Sequence, residues 1–109
     1  MKEEISIDDF AKLDIRIGTV IESIRKENSE KLIRLTVDFG IEKRTIFTAL
    51  YPLYEPSFFL HKQLVFLFNL KTRKMMDEES QGMMLAVDGE SLPIPLIPAS
   101  SVPNGSSIR

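Results

Sequence analysis

The chain has 109 residues, 43% of them hydrophobic, and no cysteine. That is enough for one domain with a modest core, and it excludes a disulfide framework, a thiol nucleophile and a thiolate metal site. Fourteen Lys and Arg against sixteen Asp and Glu give a formal charge of −2, which excludes a uniformly basic surface; any grip on a polyanion must come from local clusters.

The elements follow in chain order. The start, Met1-Lys2-Glu3-Glu4-Ile5, lacks the basic-then-apolar order of a leader. Asp8 or Asp9 is placed to cap a short N-terminal helix. Leu13, Ile15 and Ile17 alternate with polar residues up to Gly18, after which the apolar positions become Val20, Ile21 and Ile24. A glycine at a change of phase predicts a bulge or bend in one long strand. Ile33, Leu35, Val37 and Phe39 alternate with Arg34, Thr36 and Asp38, a period of two with one buried face. Gly40 marks a turn into a strand over Lys43–Ala49. Tyr51–Leu60 contains Pro52 and Pro56, and Pro56 suits the first turn of a short helix near Ser57–His61. Leu64–Leu70 is a nearly continuous apolar run, and Gly82–Val87 supplies the next strand. Asp88-Gly89-Glu90 reads as a hairpin turn. Leu92–Pro98 alternates proline with apolar residues, which fits an edge or subunit-joining segment, because proline lacks the amide donor. No apolar stretch approaches the roughly 20 residues that span a bilayer. The expectation is a small all-β domain, soluble and cytoplasmic, with no membrane partner.

The chemistry-bearing residues point to binding. His61 is the only histidine, so a histidine metal cluster or a Ser-His-Asp arrangement has no spare members. The paired carboxylates Asp8-Asp9 and Glu78-Glu79 are chain neighbours, which face opposite ways on a strand. The five glycines are scattered, so no glycine-rich phosphate loop exists. A non-catalytic protein without metal or cofactor is expected. Its cations cluster as Arg25-Lys26, Lys43-Arg44 and Lys71/Arg73/Lys74. The last group can hold phosphates, or can be a solvated loop with Asp77, Glu78 and Glu79 as counterions. Arg16 either faces a groove or pairs with Asp14, two residues away on the same strand face. Met83 and Met84 point to opposite faces, so one is buried and the other exposed.

Four blocks carry a resemblance. They are Phe10-Ala11-Lys12-Leu13-Asp14-Ile15-Arg16-Ile17-Gly18; Asn28-Ser29-Glu30-Lys31-Leu32; the run from Asn69-Leu70-Lys71-Thr72-Arg73-Lys74 to Glu79-Ser80-Gln81-Gly82-Met83; and Val102-Pro103-Asn104-Gly105 with Ile108-Arg109. In this order they resemble the free-standing tRNA-binding domain family, the module also found at the C-terminus of many methionyl-tRNA synthetases and in CsaA-type secretion chaperones. The likeness runs from about Ile7 to Arg109. The chain departs from the family pattern at Thr72 (usually proline), Lys26-Glu27 (His-Pro), Thr48-Ala49 (Ser-Gly) and Asp77 (glycine), the last adding a negative charge beside the basic string.

The resemblance implies a five-stranded OB-fold barrel with a short helix between strands 3 and 4. It also implies a homodimer, with residues 1–11 and a C-terminal extension over 88–109 at the interface. As a tRNA-binding protein that reads shape and backbone, the chain would neutralise phosphates with Lys31, Lys71, Arg73 and Lys74. Arg16, Asn28, Ser80 and Gln81 would add polar contacts. Two alternatives stay open: a CsaA-like chaperone binding unfolded or secretory polypeptide, with Phe47, Phe58 or Phe59 lining its groove, and a synthetase-associated assembly module.

Overall fold

The computed structural model describes residues 1–109. The clean alternation over Ile33–Asp38 forms β2, whose Ile33, Leu35 and Val37 are fully buried while Arg34, Thr36 and Asp38 face outward. Its neighbours are β1 (Ile15–Arg25) and β3 (Lys43–Thr48); the next strand in sequence is β4 (Gln63–Leu67). These and β7 (Met83–Met84) run in the order β3-β2-β1-β4-β7, with β10 (Ser107–Ile108) attached to β1. β1 serves both halves of the sheet. Its residues Ile15–Thr19 pair with β4, and Thr19–Arg25 pair with β2. The sheet therefore curls, and its two edges are brought together where Gln81 N donates to the Thr45 carbonyl at 2.8 Å. An all-β, OB-fold-like barrel is the result.

The bend in β1 falls later than the sequence suggested. The register shifts between Val20 and Glu22, around Ile21, and Gly18 has a different task. A Cβ on Gly18 would lie 2.5 Å from Val37 Cγ1 and 2.9 Å from Phe39 Cε1, so the strand packs on the core only because no side chain is there. The core holds Val20, Leu35, Phe39, Ile46, Phe59 and Phe66 among others. Phe39 meets Phe66 and Phe68 edge-on, with ring centroids 5.5 and 4.9 Å apart, the geometry aromatic quadrupoles prefer.

Other expectations need adjustment. The N-terminal helix α1 (Ile7–Phe10) is capped by Ser6, whose Oγ accepts from Asp9 N at 3.2 Å; Asp8 and Asp9 sit in the first turn, where the helix dipole favours them. The helix before β4 is a single 3-10 turn, Pro56–Phe58, one residue earlier and shorter than predicted. The hairpin turn expected at Asp88-Gly89-Glu90 is present, and its loop extends two residues further, running over 89–92 between β8 (Ala86–Asp88) and β9 (Pro93–Pro95). This ribbon is a sheet of its own and leaves Val87, Ile94, Leu96 and Ile97 exposed. The closing segment is pinned to the barrel. Gln63 hydrogen-bonds both the N–H and the carbonyl of Val102, and Asn104 Oδ1 accepts from Thr19 and Gln63. Gly105, at φ +89°, donates to the Ile17 carbonyl at 2.7 Å and lies directly against the Phe39 carbonyl. No helix is long and apolar enough to cross a membrane.

Candidate nucleic-acid interface

Asn69 sets the direction of the chain as it leaves β4. Its Oδ1 accepts from Asp14 N at 2.9 Å and its Nδ2 donates to the Lys12 carbonyl at 2.8 Å. The basic string that follows is a ribbon where the sequence suggested a loop. β5 (Arg73–Met75) pairs with β6 (Glu78–Ser80) in the register Arg73↔Ser80, Lys74↔Glu79 and Met75↔Glu78. The turn between them places Met76 at φ +62°. Because successive residues of a strand point to opposite faces, Arg73 and Lys74 offer a cation on each side of the ribbon. Lys71 stands at its entrance. All three are exposed.

The ion pairs decide which cations are free. Lys26 Nζ lies 2.7 Å from Asp77 Oδ1 and 3.0 Å from Glu78 Oε1. Arg34 Nε is 3.0 Å from Glu78 Oε2, and its Nη1 is 3.5 Å from Glu22 Oε1. Two members of the acidic triplet are thus neutralised from the β1–β2 loop and from β2. Lys71, Arg73 and Lys74 have no carboxylate within 4 Å. Lys26 and Asp77, two of the positions at which the chain departs from the pattern it resembles, meet each other here.

This clamp has a pH signature. The hydrogen bond from Lys26 holds the Asp77 carboxyl below its ordinary 3.8. Lys26, joined by Arg34, holds Glu78 below its ordinary 4.5. The hydrogen bonds to Asp77 and then Glu78 raise the Lys26 ammonium above 10.5. For the carboxylates the folded value is depressed, so their contribution is present above the ordinary carboxylate range and is lost as pH falls through the depressed values. For Lys26 the contribution is complete below 10.5 and is lost only as pH rises through the raised value. Amides of the β5–β6 ribbon should therefore lose exchange protection on acidification below about pH 4 while β2 amides stay protected. Simultaneous loss in both would mean that the clamp is no separate unit.

Beside the ribbon an open cleft of about 580 Å³ is lined by Ile24, Arg25, Asn28, Arg34 and Met76 among others. Asn28 takes φ +62°, a left-handed conformation that asparagine tolerates. Ser29 Oγ shapes the next turn by accepting from the amides of Lys31 and Leu32, and Lys31 is exposed. The other expected site residues are placed differently. Ser80 is 3% exposed; its Oγ accepts from Phe47 N at 3.0 Å and donates to the Gly82 carbonyl at 3.1 Å. Gln81 Oε1 accepts from Thr45 N at 2.8 Å, so both residues close the barrel beneath the ribbon. Arg16 pairs with both oxygens of Asp14 at 2.9 and 3.0 Å and lies over the Phe68 ring at 4.3 Å. Its hydrogen bond to Asp14 raises its pKa further. Of the methionines, Met84 packs on the core and Met83 is exposed. Sequence reasoning missed Lys26 and Arg34 as clamp residues, and it missed Arg44. Arg44 donates to the carbonyls of Phe68 and Gln81 and stacks 3.5 Å over the Phe68 ring. The signals in the sequence were slight: Arg34 stands on the polar face of an alternating strand and Arg44 in the Lys43-Arg44 pair.

The sequence profile of the family described as "Putative tRNA binding domain" matches residues 15–107. The chain belongs to that family. This member is 43% identical over 107 residues to the methionine–tRNA ligase of Archaeoglobus fulgidus, covering 98% of this chain but 16% of the ligase. The chain thus spans only a small part of the length of the curated relatives it matches. A MetRS-related protein from Pyrococcus horikoshii has the same fold at a TM-score of 0.93 and 32% identity, covering 99% of this chain and 100% of that one. The chaperone CsaA from Bacillus anthracis str. Ames aligns at a TM-score of 0.85 and 26% identity, covering 98% and 100%.

Proposed function

We propose that this chain is a non-catalytic tRNA-binding unit that reads the shape and backbone of tRNA and acts as a homodimer in the cytoplasm. The observation that carries the reading is the set of three unpaired cations, Lys71 at the entrance of the ribbon and Arg73 and Lys74 on it, while the ribbon's own Asp77 and Glu78 are paired with Lys26 and Arg34. Ammonium and guanidinium groups left without protein partners are available to phosphate oxygens, and phosphate contacts position RNA without reading its sequence. Asn28 lines the cleft beside the ribbon, and the exposed Lys31 would add a cation from the same β1–β2 loop. Ser80 and Gln81 serve the site by fixing the root of the ribbon, and Arg16 by steadying the Phe68 end of β4. Pairing of the two chains through residues 1–11 and 88–109 would cover the exposed Val87, Ile94, Leu96 and Ile97, and two-fold pairing of a patch with itself is the commonest oligomer.

A second reading, binding of unfolded polypeptide, is favoured by the likeness to a CsaA chaperone. Of the three aromatic residues expected to line such a groove, however, Phe47 and Phe59 are buried and only Phe58 is exposed. Docking onto a synthetase is a third use of the same barrel. Sedimentation equilibrium at micromolar concentration should give twice the 12.5 kDa chain mass; a monomer would contradict the dimer. In a gel shift with unfractionated tRNA, an excess of unfolded polypeptide should not displace the RNA. Retention of the polypeptide with no tRNA bound would favour the chaperone reading.

A further inference from the structure

Lys26 is the only charged residue among the buried ones, at 7% exposure. Its stem is covered while its ammonium borders the open cleft beside the ribbon, where two carboxylates stand in for part of its lost hydration. Both carboxylate partners lie on the β5–β6 ribbon, distant in sequence, and the Phe47 ring lies 5.8 Å from the ammonium. The ribbon needs such a tie. Its two strands form a sheet of their own, and an isolated two-stranded ribbon is marginal in water. Its root is fastened by Ser80 and Gln81; its turn is fastened by Lys26, with Arg34 holding the other oxygen of Glu78.

We propose that Lys26 is a positioning residue for the phosphate-binding ribbon: it latches the Met76-Asp77 turn to the β1–β2 loop and so fixes Arg73 and Lys74 without itself touching RNA. This rests on reading the ribbon as the phosphate-binding element. Lys26 differs from Lys71, Arg73 and Lys74 in having its ammonium occupied by two carboxylates, so it contributes geometry and they contribute charge.

The sign of one double substitution separates the latch from plain electrostatics. Asp77 and Glu78 are negative charges beside a cationic ribbon. If charge alone mattered, Asp77→Asn with Glu78→Gln would tighten tRNA binding and would also release Lys26 and Arg34 toward phosphate. The latch requires weaker binding. The test measures binding of unfractionated tRNA against salt, and amide exchange without RNA, for the wild type, K26M, K26R and D77N/E78Q. K26M and D77N/E78Q should each bind about tenfold more weakly, and K26M should keep the wild-type salt slope because no phosphate contact is lost. K26R, which keeps the charge and the donors, should restore affinity. Ribbon amides from Arg73 to Ser80 should exchange faster in K26M while β2 amides are unchanged. Tighter binding by D77N/E78Q would overturn the latch. So would a slope reduced by about 0.7–0.9 in K26M, the mark of a direct phosphate contact, or unchanged ribbon exchange. Should the wild type bind no tRNA, the phosphate reading of the ribbon falls, and ribbon exchange in K26M still decides whether the latch exists.

Discussion

Replacing Lys71, Arg73 and Lys74 together by alanine should lower tRNA affinity on the order of a hundredfold near 0.1 M salt. Each phosphate neutralised by a cation releases counterions, and log K against log salt steepens by about 0.7–0.9 per contact. Relative to 1 M salt, one contact is then worth a factor of about 5–8 at 0.1 M, and three multiply to a few hundred. The three side chains are exposed and form no ion pair, so little protein structure depends on them and stability should move by less than about 0.5 kcal/mol. Gel shifts at several salt concentrations check both parts. The loss should be even across tRNA species, because contacts to phosphate would carry no sequence information. A triple variant with unchanged affinity and slope would place the site elsewhere on the barrel.

Phe39→Ala should have the largest effect on the fold. The ring is fully buried and meets Phe66 and Phe68 edge-on. Truncating such a side chain costs about 3–5 kcal/mol, from lost transfer energy and the cavity left behind, against a typical total of roughly 5–15 kcal/mol. Collapse of the site is hindered because Gly18 and Gly105 already bring β1 and the closing segment up to Phe39. Urea unfolding at fixed protein concentration should show a lower midpoint with an unchanged slope. A loss below about 1 kcal/mol would mean that the barrel repacks, contrary to the tight packing described for this corner.

Much of the barrel was legible because its signals are local. The alternation of Ile33, Leu35 and Val37 gave β2, and Pro56 gave the turn before β4, within a residue or so of where they lie. The misplaced features depend on contacts between distant segments. Gly18 looked like a bend, yet its reason is the proximity of Val37 and Phe39, which no window along β1 contains. Ser80 and Gln81 looked like free polar groups because their partners, Phe47 and Thr45, lie on the far edge of the sheet. The same limit explains the acidic triplet. Read along the chain, Asp77 and Glu78 follow Lys74 after two methionines and weaken the basic string; in the fold, Lys26 and Arg34 reach Glu78 across 52 and 44 residues, and Lys26 also reaches Asp77. The basic residues themselves needed no tertiary information to be found, since exposure follows from an uninterrupted polar run.

Whether the unpaired cations at the β5–β6 ribbon grip tRNA phosphates is tested most directly by the salt dependence of tRNA binding by the wild-type protein beside the Lys71, Arg73 and Lys74 triple variant. Three phosphate contacts predict a log–log slope steeper in the wild type by about 2–3. Parallel lines for the two proteins, or a wild-type affinity indifferent to salt, would contradict such a grip.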